Sequence, residues 1–169
     1  MSRAVAAIGL GSNVGDRERH LSRALLLLER TPGIVVLRRS RWIETEPEGG
    51  PPDQGRFLNG AAVLETTLSP RALLEAMLGI EARMGRDRSL AGKNGPRTID
   101  LDLLMYDDLV LDEPGLTLPH PRMEERVFVL QPLAEIAPDR LLRGTGRSVR
   151  ERLEELLRAR QGVASGDGS

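Results

Sequence analysis

The stretch Thr98-Ile99-Asp100-Leu101-Asp102-Leu103-Leu104-Met105-Tyr106 has the alternating pattern of a β-strand. Because successive side chains of a strand point to opposite faces, every second residue is predicted to enter a core: Ile99, Leu101, Leu103 and Met105. The other face then carries Thr98, Asp100 and Asp102. Carboxylates two positions apart lie about 7 Å from each other, a spacing at which they can share one or two cations. The stretch therefore predicts a strand with one acidic face.

Outward from this strand, the chain predicts a β-α-β-β-α-β order. The predicted strands are Val5–Ile8, Ile34–Thr45, Phe57–Thr67 and Thr98–Tyr106. The first predicted helix is capped by Asp16 and has the apolar stripe Leu21, Ala24, Leu25 and Leu28. The second begins at Ser69-Pro70 and has the apolar stripe Leu73, Met77, Ile80 and Met84. This order is that of an α+β, ferredoxin-like fold with an antiparallel sheet and helices on one face.

A helical extension is predicted after the last strand. Arg122–Ile136 is helical in pattern but contains Pro132, which predicts two short helices. Ser148 and Glu151 form a capping-box pattern for a last helix that runs to about Arg158. We expect a single domain over 1–161 and a disordered, Gly/Ser-rich tail over 162–169.

Composition narrows the class of protein. The 169 residues include no cysteine, which excludes disulfides and Cys-based zinc sites. The formal net charge of −1 argues against a general nucleic-acid-binding protein. With no leader-like segment and no apolar run long enough for a bilayer, we expect a cytoplasmic protein without membrane contact, and a monomer.

Charge is concentrated in two adjacent segments. Basic residues crowd one short stretch: Arg83, Arg86, Arg88, Lys93 and Arg97. Acidic residues follow it at once: Asp100, Asp102, Asp107, Asp108 and Asp112. Mg²⁺ binds one or two carboxylates together with phosphate oxygens, and arginine matches phosphate with two hydrogen bonds. The pattern predicts a site for a magnesium–triphosphate complex.

Other residues have two readings that the sequence leaves open. Glu81 lies on the apolar line of its helix and can bind ligand or brace an arginine. His120 stands between two prolines, where it can contact phosphate or be an ordinary loop residue. Phe57 and Phe128, with Asn59 nearby, can enclose a flat heterocycle such as a purine or pterin, or can simply pack in the core.

Two alternative functions are weighed against the phosphate site. Gly9, Gly11 and Gly15 lack the dinucleotide spacing, so we interpret them as a structural turn, which disfavours a nicotinamide-dependent oxidoreductase. An RNA-binding module would need aromatic side chains and positive charge on its central strands, and the Asp100/Asp102 strand argues against one.

With these motifs together, the chain resembles the 6-hydroxymethyl-7,8-dihydropterin pyrophosphokinase family of the folate pathway. The resemblance runs from about Ala7 to Pro138. It is carried by Gly11-Ser12-Asn13, Glu44-Thr45-Glu46-Pro47, Phe57-Leu58-Asn59, Ile80-Glu81, Gly85-Arg86, the GPRTIDLDLLMY stretch from Gly95, Pro119-His120-Pro121 and the RVFVLQPL stretch from Arg126.

The resemblance implies transfer of pyrophosphate from ATP to the pterin hydroxymethyl group, with AMP as the second product. It implies that Asp100 and Asp102 bind two Mg²⁺ ions and that Arg86 and Arg97 contact the phosphates. The residues that it implies for ATP are Glu81, Arg88, Leu103, Thr117, His120 and Arg126. Those that it implies for the pterin are Thr45, Pro47, Phe57, Asn59 and Phe128.

The resemblance also implies two mobile lids, over the loops 46–56 and 85–96. Three positions depart from the family pattern. Asn94 stands where many members have an aromatic residue, Pro121 where some have tyrosine, and Leu78 where many have glutamine.

Overall fold

The structure, a computed structural model, describes residues 2–45, 55–85 and 98–166, without the side chains of 163–166. Its strands are β1 (Ala4–Ser12), β2 (Ile34–Arg39), β3 (Ile43–Thr45), β4 (Phe57–Thr66), β5 (Asp100–Tyr106), β6 (Leu111–Glu113) and β7 (Leu116–Leu118). Its helices are α1 (Arg17–Glu29), α2 (Pro70–Arg83), α3 (Val127–Ile136) and α4 (Val149–Gly166), with a 3₁₀ turn at Met123–Glu125.

The strands of the main sheet follow the order β2-β4-β1-β5, and β3 also pairs with β4. Every neighbouring pair is antiparallel. The order and the two helices between the strands confirm the ferredoxin-like prediction. Among the described residues β5 is an edge strand, which pairs with β1 on one side only.

The long strand predicted at Ile34–Thr45 is two strands, because the chain leaves the sheet at residues 40–42. There the Ser40 hydroxyl accepts a hydrogen bond from the Ala61 amide at 2.9 Å and donates one to the Arg41 carbonyl at 2.8 Å. The Ser40 amide still donates to the Ala61 carbonyl at 2.9 Å, and regular pairing with β4 resumes at Ile43.

The helix starts predicted from capping residues are confirmed. The Asp16 carboxylate accepts from the Arg19 amide, and the Ser69 hydroxyl accepts from the Ala72 amide, with Pro70 in the first turn. At α4 the Ser148 amide donates to the Glu151 carboxylate at 3.0 Å while the Glu151 amide donates to the Ser148 hydroxyl at 3.1 Å. This reciprocal pair is the predicted capping box.

Helices cover both faces of the sheet and enclose two apolar clusters. The first cluster joins one face to α1 and α2 and includes Ile8, Leu21, Leu28, Leu64, Leu73, Met77, Leu101 and Leu103. The second joins the other face to α3 and α4 and includes Ala7, Ala61, Leu104, Met105, Leu130, Leu133 and Val149. The predicted helical extension is therefore the third layer of the fold.

The apolar residues of β5 do not all face one way. Ala7 pairs with Met105 and Ile8 pairs with Leu103, so Leu104 is an extra residue in β5, a β-bulge. The bulge turns Met105 toward the second cluster, beside Leu104. The prediction that Met105 shares a face with Ile99, Leu101 and Leu103 is wrong for this reason.

Two boundaries in the extension also differ from the prediction. Pro132 lies inside α3, and the break between the two short helical segments comes at Arg126 instead. A proline removes one helical hydrogen bond, and α3 is retained because its apolar face is buried. The last helix continues to Gly166, past Arg158, so the boundary predicted at 161/162 falls inside it. None of the helices in the described part of the chain is long and apolar enough to cross a bilayer.

Candidate active site

Asp100 and Asp102 lie on one face at the start of β5. Asp100 pairs with Gly11 of β1, and Asp102 pairs with Gly9. Gly9 also pairs with Ala61, which belongs to the second cluster, so both aspartates point to the α3 side of the sheet. Both side chains are half-buried. The predicted acidic face of the strand is confirmed.

Gly9 and Gly11 are strand residues, and the interpretation of these glycines as a turn is wrong. Gly11 pairs with Asn59 on one side and Asp100 on the other, which forms the row Asn59–Gly11–Asp100 across three strands. A Cβ on Gly11 would lie 2.7 Å from Asn59 Oδ1 and 3.5 Å from the Phe57 ring. Gly9 and Gly11 thus form a floor without side chains of its own, and the Asn59 amide oxygen lies over Gly11. The backbones of Asn59 and Asp100 are about 10 Å apart, which is two strand spacings.

One side of this floor carries the residues that the resemblance implies for the pterin. The Asn59 amide Nδ2 donates a hydrogen bond to the Thr45 hydroxyl, and Asn59 is only 7% exposed. Phe57 is half-buried next to them, and Thr45 is its partner across β3 and β4. Thr45, Phe57 and Asn59 therefore form one cluster, as predicted.

The start of α3 adds an arginine and an aromatic ring on the same side of the sheet. The Arg126 guanidinium lies 5.4 Å from the centre of the Phe128 ring, within cation–π range. Phe128 also packs against the second cluster. The Nε of Arg126 is buried and makes no hydrogen bond with any described residue. A buried guanidinium donor of this kind suits an anionic ligand.

Glu81, at the end of α2, is 3% exposed and its Oε2 accepts a hydrogen bond from the Leu101 amide at 2.8 Å. Leu101 stands between the two aspartates. Its amide is on the edge of β5 that, among the described residues, is not paired with another strand. This is a third role, different from the two left open for Glu81: the carboxylate braces the strand that carries the aspartates.

His120 is held against β5 by its backbone. Its amide donates to the Leu104 carbonyl at 2.8 Å, and its Nδ1 accepts from the Arg122 amide at 3.2 Å. In the neutral ring the proton is therefore on Nε2. Burial lowers the pKa of His120, and the positive charge of Arg126 lowers it further, while the charge of Asp100 acts in the opposite direction. His120 thus belongs to the same electrostatic group as Asp100 and Arg126.

Leu103 and Thr117 lie on a different side of β5. Leu103 is 5% exposed in the first cluster, toward α2 and away from the aspartates. Thr117 is exposed on β7, and its hydroxyl donates to the Asp112 carboxylate at 3.3 Å. Both α2 and β7 contact β5, and Leu103 and Thr117 belong to this part of the fold.

Several predicted site residues lie outside the described ranges: Pro47, Arg86, Arg88 and Arg97. The two predicted lid loops lie there as well, except for Gly55, Arg56 and Gly85 at their ends.

The carboxylates of Asp100 and Asp102 suit a Mg²⁺ ion that also binds phosphate oxygens and water. Within the three described ranges, no group of three or more acidic or histidine side chains is arranged to hold a metal by itself. Two carboxylates on one strand face leave the remaining ligand positions to phosphate oxygens and water, the arrangement that Mg²⁺ favours.

Arg17 is a residue that sequence reasoning missed. It begins α1, directly after the Asp16 cap, and its side chain contacts Glu44 and Arg56 at the two ends of the segment 46–54. A cation in the first turn of a helix is disfavoured by the helix dipole. An arginine at that position is the sequence signal that could have indicated a specific partner.

The strand order, the helices on both faces and the polar floor define a ferredoxin-like α+β protein with one candidate active site at the start of β5. The sequence profile of the family described as "7,8-dihydro-6-hydroxymethylpterin-pyrophosphokinase (HPPK)" matches residues 7–138. The chain belongs to that family. It is accordingly a pyrophosphokinase that acts on hydroxymethyldihydropterin in folate biosynthesis, with ATP as the co-substrate.

Individual relatives agree with the family profile. The chain is 47% identical over 151 residues to the "2-amino-4-hydroxy-6-hydroxymethyldihydropteridine pyrophosphokinase" of Methylorubrum extorquens, covering 89% of this chain and 92% of that protein. It is 46% identical over 132 residues to the protein of the same name from Bacillus subtilis, covering 78% and 77%.

Solved structures agree on the fold. A structure titled as HPPK-DHPS in complex with substrates superposes with a TM-score of 0.74 at 15% identity, over 94% of this chain. The wild-type Plasmodium falciparum HPPK-DHPS with pteroate superposes with a TM-score of 0.72 at 14% identity, over 91% of this chain. The chain spans less than half the length of those two chains, at 45% and 42%.

Proposed function

We propose that the chain transfers pyrophosphate from ATP to 6-hydroxymethyl-7,8-dihydropterin with Mg²⁺ held by Asp100 and Asp102. The observation that carries this proposal is the common face of the two aspartates, in register with Gly11 and Gly9. In that register the backbones of Asp100 and Asn59 are about 10 Å apart, with Gly11 between them, and this spacing supports a site for two substrates on this face of the sheet.

When bound, two Mg²⁺ ions neutralise charge on the phosphates and hold them for in-line displacement. Asp100 and Asp102 supply the protein ligands. Arg86 and Arg97 are proposed to contact the same phosphates, on the strength of the family motif that contains them.

The ATP side of the site combines residues on two sides of β5. Arg126 offers a buried Nε donor, and His120 offers its Nε2 proton, so both suit contact with phosphate. Leu103 and Thr117 lie where α2 and β7 contact β5, and there we place the adenine and ribose. Glu81 braces the strand between these two regions. Arg88 completes this set by resemblance.

The pterin side is the cluster at the start of β4. Phe57 and Phe128 present rings on the same side of the sheet and are proposed to stack on the pterin. Thr45 and Asn59 already share a hydrogen bond, and their remaining donor and acceptor positions suit the polar edge of the heterocycle. Pro47 joins this group by resemblance.

In the reaction, the pterin hydroxyl oxygen bonds to the β-phosphorus of ATP, and its proton is released to water. The bond from that phosphorus to the oxygen shared with the α-phosphate breaks, and AMP leaves. The protein contributes alignment and charge stabilisation, which supply most of the rate enhancement in phosphoryl transfer. We propose that the enzyme works as a cytoplasmic monomer of 18.5 kDa.

The test is to identify the nucleotide product. Protein, MgATP and 6-hydroxymethyl-7,8-dihydropterin are incubated together, and the nucleotides are separated by ion-exchange chromatography. AMP in equal amount to the pterin diphosphate supports the proposal. ADP as the product, or AMP formation that is unaffected by removal of Mg²⁺ with EDTA, would contradict it.

A further inference from the structure

A hydrogen-bonded group at the start of α1 lies beside the proposed pterin residues. Arg17 Nη1 donates to the carbonyl oxygen of Arg56 at 2.8 Å, and Arg17 Nη2 lies 3.4 Å from Glu44 Oε2. The Arg56 guanidinium is 3.5 Å from the other Glu44 oxygen. We call Arg17, Glu44 and Arg56 the Arg17 clamp.

The Arg17 clamp contacts the chain next to two of the proposed pterin residues, one in β3 and one in β4. Glu44 precedes Thr45 in β3, and Arg56 directly precedes Phe57, the first residue of β4. Thr45 and Phe57 are themselves partners across these strands. A single guanidinium thus fixes the residue next to each of them.

A second contact from the same region holds the same backbone. The Asn13 side chain, which is buried, donates to the Gly55 carbonyl at 3.3 Å. Two consecutive carbonyl groups, those of Gly55 and Arg56, are therefore held by residues of the β1–α1 region just before β4 begins. The position of the Phe57 ring depends on this backbone.

We propose that Arg17 is a positioning residue for pterin binding. It sets the separation of Thr45 and Phe57 through Glu44 and the Arg56 carbonyl, without contacting the substrate. The proposal rests on the proposed pterin roles of those residues.

The exposure of the clamp indicates a positional role more than a stabilising one. The Glu44 side chain is 47% exposed and that of Arg17 is 30% exposed. Ion pairs with this exposure contribute little to folding because solvent screens them. The planar fork of arginine holds two separated partners in a fixed geometry, whereas the three donors of lysine are on one nitrogen at the end of a flexible stem.

The test compares Arg17→Met, Arg17→Lys and the control Arg23→Met. Arg23 is an exposed residue of the same helix, and its side chain makes no ion pair or hydrogen bond with the described residues. For each variant we would measure the KM for the pterin at saturating MgATP, the KM for ATP at saturating pterin, kcat and the melting temperature.

For Arg17→Met we expect the KM for the pterin to rise about tenfold, because the lost bonds free the strands that carry Thr45 and Phe57. The KM for ATP should change less than about twofold, and the melting temperature should fall by less than about 4 °C. Arg17→Lys should give an intermediate pterin KM, and Arg23→Met should match the wild type.

A pterin KM within twofold of wild type in Arg17→Met would overturn the inference, and so would equal increases in both KM values. The wild-type assay keeps this result separate from the proposed function. If the wild-type enzyme forms AMP and the pterin diphosphate while Arg17→Met behaves normally, only the positioning role fails. If the wild type forms neither product, the proposed function itself fails.

Discussion

Gly11 is a position where the absence of a side chain is essential to the site. It lies between Asn59 and Asp100, and any Cβ there would meet the Asn59 amide oxygen at 2.7 Å. That distance is shorter than real Cβ contacts allow, so the Asn59 side chain, which also bonds to Thr45, would have to shift.

For Gly11→Ala we therefore predict a rise of at least about tenfold in the KM for the pterin. The matched control is Gly79→Ala in α2, where a Cβ would have nothing within 4 Å. Alanine is favoured over glycine inside a helix by about 1 kcal/mol, so Gly79→Ala should be fully active and slightly more stable. Steady-state kinetics and thermal unfolding measure both effects, and a normal pterin KM in Gly11→Ala would contradict this view of the floor.

His120 gives a prediction about pH. Its pKa in the folded protein is lowered from the usual 6.5, chiefly by burial. The unfolded chain then binds a proton at this residue more readily than the folded protein does. Stability from this residue is present above the unfolded pKa and is lost as the pH falls below it.

We expect the free energy of unfolding to decrease between pH 7.5 and pH 5.5 by less in His120→Gln than in the wild type. Urea unfolding at the two pH values measures this difference, and all other titrating groups are shared by the two proteins. An equal decrease in both would show that His120 titrates normally in the folded state.

The hydrogen bond from Leu101 to Glu81 joins α2 to β5 and helps to hold the strand that carries the aspartates. The Glu81 carboxylate accepts the Leu101 amide on the edge of β5 that pairs with no other described strand. If Glu81 is replaced by alanine, this buried amide is left without a partner, which costs about 1–3 kcal/mol. Replacement by glutamine retains an acceptor oxygen of nearly the same shape.

We predict that Glu81→Ala lowers both the melting temperature and kcat, because β5 loses its hydrogen bond to α2 between Asp100 and Asp102. Glu81→Gln should restore most of the stability. Thermal unfolding and steady-state kinetics of both variants check this. If Glu81→Ala keeps the wild-type melting temperature, the carboxylate is not a brace, and a direct role in ligand binding becomes the better account.

An element could be predicted from the sequence where its residues fit only one local structure. Asp16, Ser69 and Ser148 bond to specific amides, so the helix starts could be predicted from them. The Leu104 bulge could not, because Leu103-Leu104-Met105 is apolar throughout and fits either register. Gly9 and Gly11 were misread for a related reason: glycine is common in turns, and only pairing on both sides identifies it as part of a floor.

For the molecule as a whole, the sequence predicted the strand order but not the third layer. The pattern of α3 and α4 shows that each has an apolar face, and it does not say which surface that face covers. The acidic face of β5 follows the sequence prediction. The structure also brings Thr45, Phe57 and Asn59 together and places His120 near Asp100 and Arg126, residues that only the family resemblance had grouped. The Arg17 clamp does not, because its three members are far apart in the chain and meet only in the folded sheet.

The whole account depends on Asp100 and Asp102 acting as magnesium ligands. The most direct measurement is the rate of AMP formation as a function of Mg²⁺ concentration, for the wild type, Asp100→Asn, Asp102→Asn and the surface control Asp108→Asn. Asp108 has an 84% exposed side chain in the turn beyond the far end of β5. We predict that each of the two site variants lowers kcat by at least about 100-fold and needs more Mg²⁺ for half-maximal rate, while Asp108→Asn matches the wild type. Near-normal rates and unchanged Mg²⁺ dependence in either site variant would contradict the assignment.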